Sequence, residues 1–187
     1  MKQLILIVLS FILLSSSCRK NKSGNPVDQL PPETQTGANT FGCLVNGKVF
    51  KPGGAQLSGG SLNCFYQFVN NGYYFGLSGT YQSGGGNTQS SVSLFTDSLK
   101  IQKNIKYLLR AKRKGEANAL YTNLANGASP SDWFYRTQNN INEGEIWITS
   151  LDTIKQIVSG TFWFDAVNAN GQIVQIRDGR FDVRYTR

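Results

Sequence analysis

IVSGTFWFDAVNANGQIVQIRDGRFDVRYTR, residues 157–187, closes the chain and decides its fold class. Apolar and polar residues alternate through much of it, the period of a strand with one face in a core. Two turn pairs interrupt the alternation, Asn170-Gly171 and Asp178-Gly179. Asn-Gly is the strongest short hairpin signal, because both central positions of a tight hairpin take positive φ. Past Asp178-Gly179, the pattern puts Phe181, Val183 and Tyr185 on one face. Arg180, Asp182 and Arg184 fall on the other, which reads as solvent-facing.

The same device recurs upstream. FGCLVNGKVF (41–50) is two short runs around Asn46-Gly47, and LNCFYQFVNNGYYFGLSGTY (62–81) is two longer ones around Asn71-Gly72. SGGGN (83–87) reads as a loop. TQSSVSLFT (88–96) sets Val92 and Leu94 against serines and leaves Phe95 exposed or at a bend. GEIWITSLD (144–152) alternates Ile146 and Ile148 with Trp147 and Thr149. Turns at this density predict an all-β domain, an antiparallel β-sandwich or barrel-like sheet with many hairpins. No βαβ pattern and no glycine fingerprint for nucleotides is found. Residues 99–117 fit two periods. A helix would gather Ile101, Ile105, Leu108 and Leu109, whereas a strand would turn Ile101, Ile105, Tyr107 and Leu109 inward. The strand connects better to its neighbours.

The N-terminal end has a different character. Lys2 precedes a largely apolar run, Leu4–Leu14, of signal-peptide length. A membrane-spanning helix needs about 20 apolar residues, more than this run supplies. Ser15, Ser16 and Ser17 then stand directly before Cys18. The arrangement resembles a bacterial lipobox, with Leu14 one position further from the cysteine than is usual. The resemblance implies that residues 1–17 are a lipoprotein signal peptide and that Cys18 is lipidated, with the membrane as partner through that anchor. Two or more acyl chains hold a protein stably where one does not. Residues 18–39, rich in Asn, Ser, Gly, Gln and Pro, read as a disordered tether reaching on the order of 25 Å. That leaves 40–187 as a single all-β domain. Arg19, Lys20 and Lys22 after the cysteine favour an outer-membrane anchor facing the periplasm over one at the cell surface.

The net charge is +8. An export signal argues against nucleic acid as a partner and points to anionic lipid or polysaccharide, or to a plain solvated surface. With Cys18 lipidated, Cys43 and Cys64 remain, and an exported protein meets oxidising surroundings. They are expected to pair as one structural disulfide, closing a loop of about 20 residues for roughly 3 kcal/mol. The alternative is two buried thiols. Two cysteines without a histidine do not make a metal site, and no cofactor is implied.

Without histidine, a Ser-His-Asp or Cys-His nucleophile is out of reach. Paired carboxylates remain as a route to glycan hydrolysis. The candidates are Glu143, Glu145, Asp165, Asp178 and Asp182. Trp133 and Tyr135 after a Ser-Pro-Ser-Asp turn, with Trp163 and Asp165 in the aromatic run Phe162–Asp165, are candidates for binding a ligand such as a glycan. Consecutive aromatics in a strand face both sides, so at least one of Trp133, Phe134 and Tyr135 belongs to the core. The basic run Arg110, Lys112, Arg113 and Lys114 is a candidate anion grip, set against the ordinary role of lysines in protecting a strand edge.

FGCLVNGKVFKPGG, KGEANALY and the closing segment 157–185 look like an uncharacterised family of Bacteroidetes lipoproteins catalogued as a domain of unknown function. The likeness covers about 40–187. It implies a lipidated all-β domain and transfers no catalytic residue. The function expected is a non-catalytic cell-envelope module that binds a ligand or partner, a glycan or another envelope protein. A structural or assembly role in the outer membrane, and a carboxylate-dependent hydrolase, are the alternatives.

Overall fold

A computed structural model of the chain describes residues 24–54, 60–84, 88–125, 127–139 and 144–187. The leader, Cys18 and Glu143 lie outside them. The described residues form twelve strands and no α-helix: β1 (Thr40–Val45), β2 (Lys48–Phe50), β3 (Gly53–Gly54), β4 (Leu62–Val69), β5 (Gly72–Gln82), β6 (Thr88–Thr96), β7 (Ile105–Leu109), β8 (Ala117–Ala125), β9 (Phe134–Arg136), β10 (Gly144–Asp152), β11 (Ile157–Val167) and β12 (Ile173–Arg184). The hydrogen-bonded order is β2-β1-β12-β11-β10-β7-β8-β6-β5, with β3 and β4 both on β5 and β9 tying β8 to β11.

The sheet closes on itself just past β12. The Thr186 amide donates to the Cys64 carbonyl (3.0 Å), and the Tyr66 amide donates to Thr186 (2.9 Å). This seals β4 against the end of the chain and makes a small barrel. Among the described strands, closure at this seam leaves only the short β2 and β3 paired on a single side, and short edges limit pairing with another chain. Among the described residues, the strands and the core cluster lie between Thr40 and Tyr185.

The barrel interior is apolar. Leu77, Val92, Leu94, Ile148, Val158, Phe164 and Ile176 are fully sealed. Phe41, Phe162 and Phe181 pack ring against ring, with centroids 5.4 Å apart for Phe41–Phe162 and 6.3 Å for Phe162–Phe181. A fully buried side chain of this size contributes about 1.5–3 kcal/mol. Gly179 lies under the Phe162 ring; a Cβ there would stand 2.5 Å from Phe162 Cε2.

Of residues 99–117, expected to form a strand, only Ile105–Leu109 does so as β7; 99–104 and 110–116 are turns and loop, and Ala117 begins β8. Leu109 is buried and Tyr107 packs on the core, although Ile105 at the strand's start is exposed. Three turn and strap expectations are corrected. The β4–β5 hairpin turns on Asn70-Asn71, both at positive φ, and Gly72 is already in the strand. Asp178-Gly179 is not a turn. β12 runs through it, and Asp178, at φ 51°, forms a bulge that shifts the register against both β1 and β11. A bulge inserts one residue and reverses which side of the sheet each later residue faces. So Val174 and Ile176 point inward before it, and Phe181, Val183 and Tyr185 after it.

Residues 30–39 are not a loose tether but a strap across the outside of β1, β11 and β12. Leu30 is buried, and Pro31 packs on Gly42. Asn39 Oδ1 accepts the Arg184 amide at 3.0 Å. Asp182, expected in solvent, is 1% exposed beneath the strap. Its carboxylate accepts the Thr34 hydroxyl (2.6 Å), the amides of Thr36, Gly37 and Ala38 (2.9, 2.8 and 3.2 Å), and the Ser159 hydroxyl (2.8 Å). Burial alone would raise its pKa; these donors outweigh that and hold it well below the usual carboxylate range.

The expected disulfide is absent. Cys43 and Cys64 are free thiols. β1 is flanked by β2 and β12, and β4 by β5 and Thr186, so the two cysteines sit on strands that never pair. Burial pushes the Cys43 thiol far up and the Cys64 thiol to about 12, so both stay protonated and unreactive at neutral pH.

Candidate functional site

A groove of about 770 Å³ lies on the outer side of β4, β5, β6 and β8. Its floor is set by register. Phe65 lies opposite Gly76, Gly76 opposite Phe95, and Phe95 opposite Asn118, one row across four strands. Gly76 keeps the middle of the row low. A Cβ there would come within 2.3 Å of the Phe65 ring, so the ring packs directly against the glycine. Leu120, two residues beyond Asn118, extends the apolar floor to Arg136, its cross-strand partner on β9.

The wall is the 110–113 segment, held by two side chains. Thr137, 3% exposed, donates its hydroxyl to the Arg110 carbonyl (2.6 Å) and accepts the Ala119 amide (2.9 Å). Asn139 Oδ1 accepts the Ala111 amide at 3.1 Å. Lys112 and Arg113 stand along this wall, and Arg136 lines the same groove from β9. One carboxylate, Asp97, lines the groove. Lys112, Arg113 and Arg136 make no ion pair with a described acid, and the Arg136 guanidinium lies 5.2 Å from the Phe134 ring. Asn118 is buried, and its Nδ2 has no hydrogen-bond partner. An unmet buried donor costs about 1–3 kcal/mol.

The residues singled out from sequence fall in several places. Lys112 and Arg113 of the basic run line the groove; Arg110 and Lys114 do not. Trp133 and Tyr135 do not form a platform with Trp163 and Asp165. Tyr135 packs on the core beside Tyr121, with ring centroids 5.7 Å apart, and Trp133 Nε1 donates to the Ala128 carbonyl at 3.1 Å. Trp163 points outward, 41% exposed, with the Arg177 guanidinium 5.5 Å from its ring. The same arginine pairs with Asp165 at 2.5 Å. Trp147 is similar, with Lys106 over its ring and that lysine paired to Glu145 at 2.9 Å.

The four described carboxylate candidates lie in separate places. Glu145 and Asp165 are salt-bridged, Asp182 is wrapped by the strap, and Asp178 forms the bulge. Sequence reasoning missed Phe65, Asn118, Leu120 and Arg136. The available signal was Phe95, an aromatic on the serine face of an alternating strand.

The fold defines a small, closed, mostly antiparallel β-barrel domain, with parallel pairing at β7–β8, at β3–β5 and at the closing bridge Phe65–Thr186, and with a cation-rimmed groove on its outer face. Residues 65–183 match the model of the family described as Domain of unknown function (DUF6252), and the chain belongs to that family. The match runs from β4 into β12 and takes in every groove residue, leaving the strap and β1 to β3 outside. No curated protein and no solved structure matches the chain.

Proposed function

We infer that the protein is a non-catalytic binding module of the cell envelope, lipid-anchored at Cys18 in the outer membrane and facing the periplasm, with the groove as its ligand site. The observation that carries the binding reading is the groove itself. Its size lies in the 300–1,000 Å³ range of small-molecule sites. It combines an apolar floor, a few polar groups and an unmet buried amide. The leader and the Ser-Ser-Ser-Cys sequence support the anchor.

The uncharged fluorophore N-phenyl-1-naphthylamine tests the site. It should saturate at one site on residues 24–187, and Leu120→Trp, which fills the floor, should abolish that binding. Palmitate labelling of the full chain, lost in Cys18→Ser, tests the anchor. An assembly role is the second reading. It is favoured by Phe68 and Val69 at the β4–β5 hairpin tip, 59% and 46% exposed, which a partner protein would cover.

A further inference from the structure

We propose that the groove selects an anionic amphiphile, a flat apolar body carrying one acidic group; this rests on the groove being the ligand site. The apolar part follows from the floor. Phe65, Phe95 and Leu120 form a nearly continuous surface, kept open by Gly76. The charge follows from the rim. Three cations converge from two separate segments, Lys112 and Arg113 from the wall and Arg136 from β9, against the single carboxylate of Asp97. None has an acidic partner among the described residues. All three cations are exposed, so their pull on an anion is strongest at low ionic strength.

The donor count agrees. Lys112, Arg113, Arg136 and the Asn118 amide offer donors, and Asn118 Nδ2 lacks an acceptor. A carboxylate, sulfonate or phosphate is acceptor-rich and fits that set. A neutral glycan has acceptor oxygens but no negative charge, and would leave the three cations unneutralised. The groove is recessed between strands and wall, which suits one dissolved molecule rather than the plane of a membrane.

The test pairs two probes on residues 24–187: N-phenyl-1-naphthylamine and 1-anilinonaphthalene-8-sulfonate, which share their rings and differ by the sulfonate. The sulfonate should bind about 10-fold more tightly or better. The double variant Lys112→Glu, Arg113→Glu changes exposed side chains only, so its melting temperature should be unaltered. In it the advantage should vanish, the sulfonate losing far more affinity than the uncharged probe. The Asn118 side-chain amide resonance should shift with either probe, which locates binding even where Leu120→Trp fails to fold. Equal affinity for the two probes, with Asn118 shifted by both, overturns the anion selection and leaves the groove as a site. No shift at Asn118 with either probe overturns the groove reading itself. Co-sedimentation with phosphatidylglycerol vesicles that the double variant loses would assign the cations to a membrane surface and overturn the proposal.

Discussion

Two parts of the barrel's outer face are each covered by a loop, and they differ in what lies beneath. Under the strap, Asp182 is a buried charge with its lone pairs answered by Thr34, Thr36, Gly37, Ala38 and Ser159. Under the 110–113 wall, Asn118 is a buried amide with an unmet donor, beside three cations that pair with no described acid. The first cover is complete, and its contents contribute to stability. The second leaves polar groups open at a cost, and such a cost is what a binding surface tolerates.

The contrast is sharpest at Asp182. Asp182→Ala would leave several buried donors without an acceptor, so a loss of about 3 kcal/mol is expected, read as a fall in the denaturant midpoint. The strap should then become sensitive to limited proteolysis between residues 30 and 39. An unchanged midpoint would mean that the strap adds nothing to the fold.

Acid probes the same carboxylate. Its folded pKa is lowered, so its stabilising effect is complete above the unfolded value of about 3.9 and is lost as the pH falls through the lower folded value. Between pH 5 and pH 2.5 the wild type should therefore lose more melting temperature than Asp182→Asn. Parallel loss in the two proteins would put the acid sensitivity elsewhere.

Thr137 is the groove region's own structural post, and its replacement should cost less. Thr137→Val keeps the shape but strips the Arg110 carbonyl and the Ala119 amide of their partner. The expected loss is about 1–2 kcal/mol, with a weaker grip on 1-anilinonaphthalene-8-sulfonate because the wall carrying Lys112 and Arg113 loosens. A stability loss with probe affinity intact would detach the wall from binding.

What could be read from sequence follows the range of each signal. Alternation and turn chemistry are local, so Val92 with Leu94, Ile146 with Ile148, and the Asn46-Gly47 hairpin were legible. Asp178-Gly179 has the composition of a turn, yet the pairing of β12 with β1 and β11 makes it a bulge. Asp182 looked solvent-facing because alternation tells one face from the other, not whether a segment 145 residues away covers the outer one. The disulfide failed for a related reason: spacing and compartment say nothing of which strands become neighbours. The groove rests on a four-strand register, Phe65–Gly76–Phe95–Asn118, that no single segment contains. Only its cationic wall was visible as a run.

The smallest expected effect separates the two regions most cleanly, because its sign is reversed. Asn118→Leu exchanges an amide for an apolar side chain of similar size. At a site where every polar atom is bonded, that exchange would remove hydrogen bonds and destabilise. At Asn118 it removes a donor that has no partner, while the neighbours Phe95 and Leu120 offer the new side chain apolar company. Stability should stay level or rise by about 1 kcal/mol, since the desolvation penalty of the unmet donor disappears. The binding of 1-anilinonaphthalene-8-sulfonate should weaken in the same protein, because one acceptor-seeking group is gone from the floor. A rise in the denaturant midpoint together with weaker binding would mark Asn118 as held for a ligand at the expense of the fold. A fall of more than about 1 kcal/mol would show that the amide supports the barrel as Asp182 does, and the distinction between the two covers would fail.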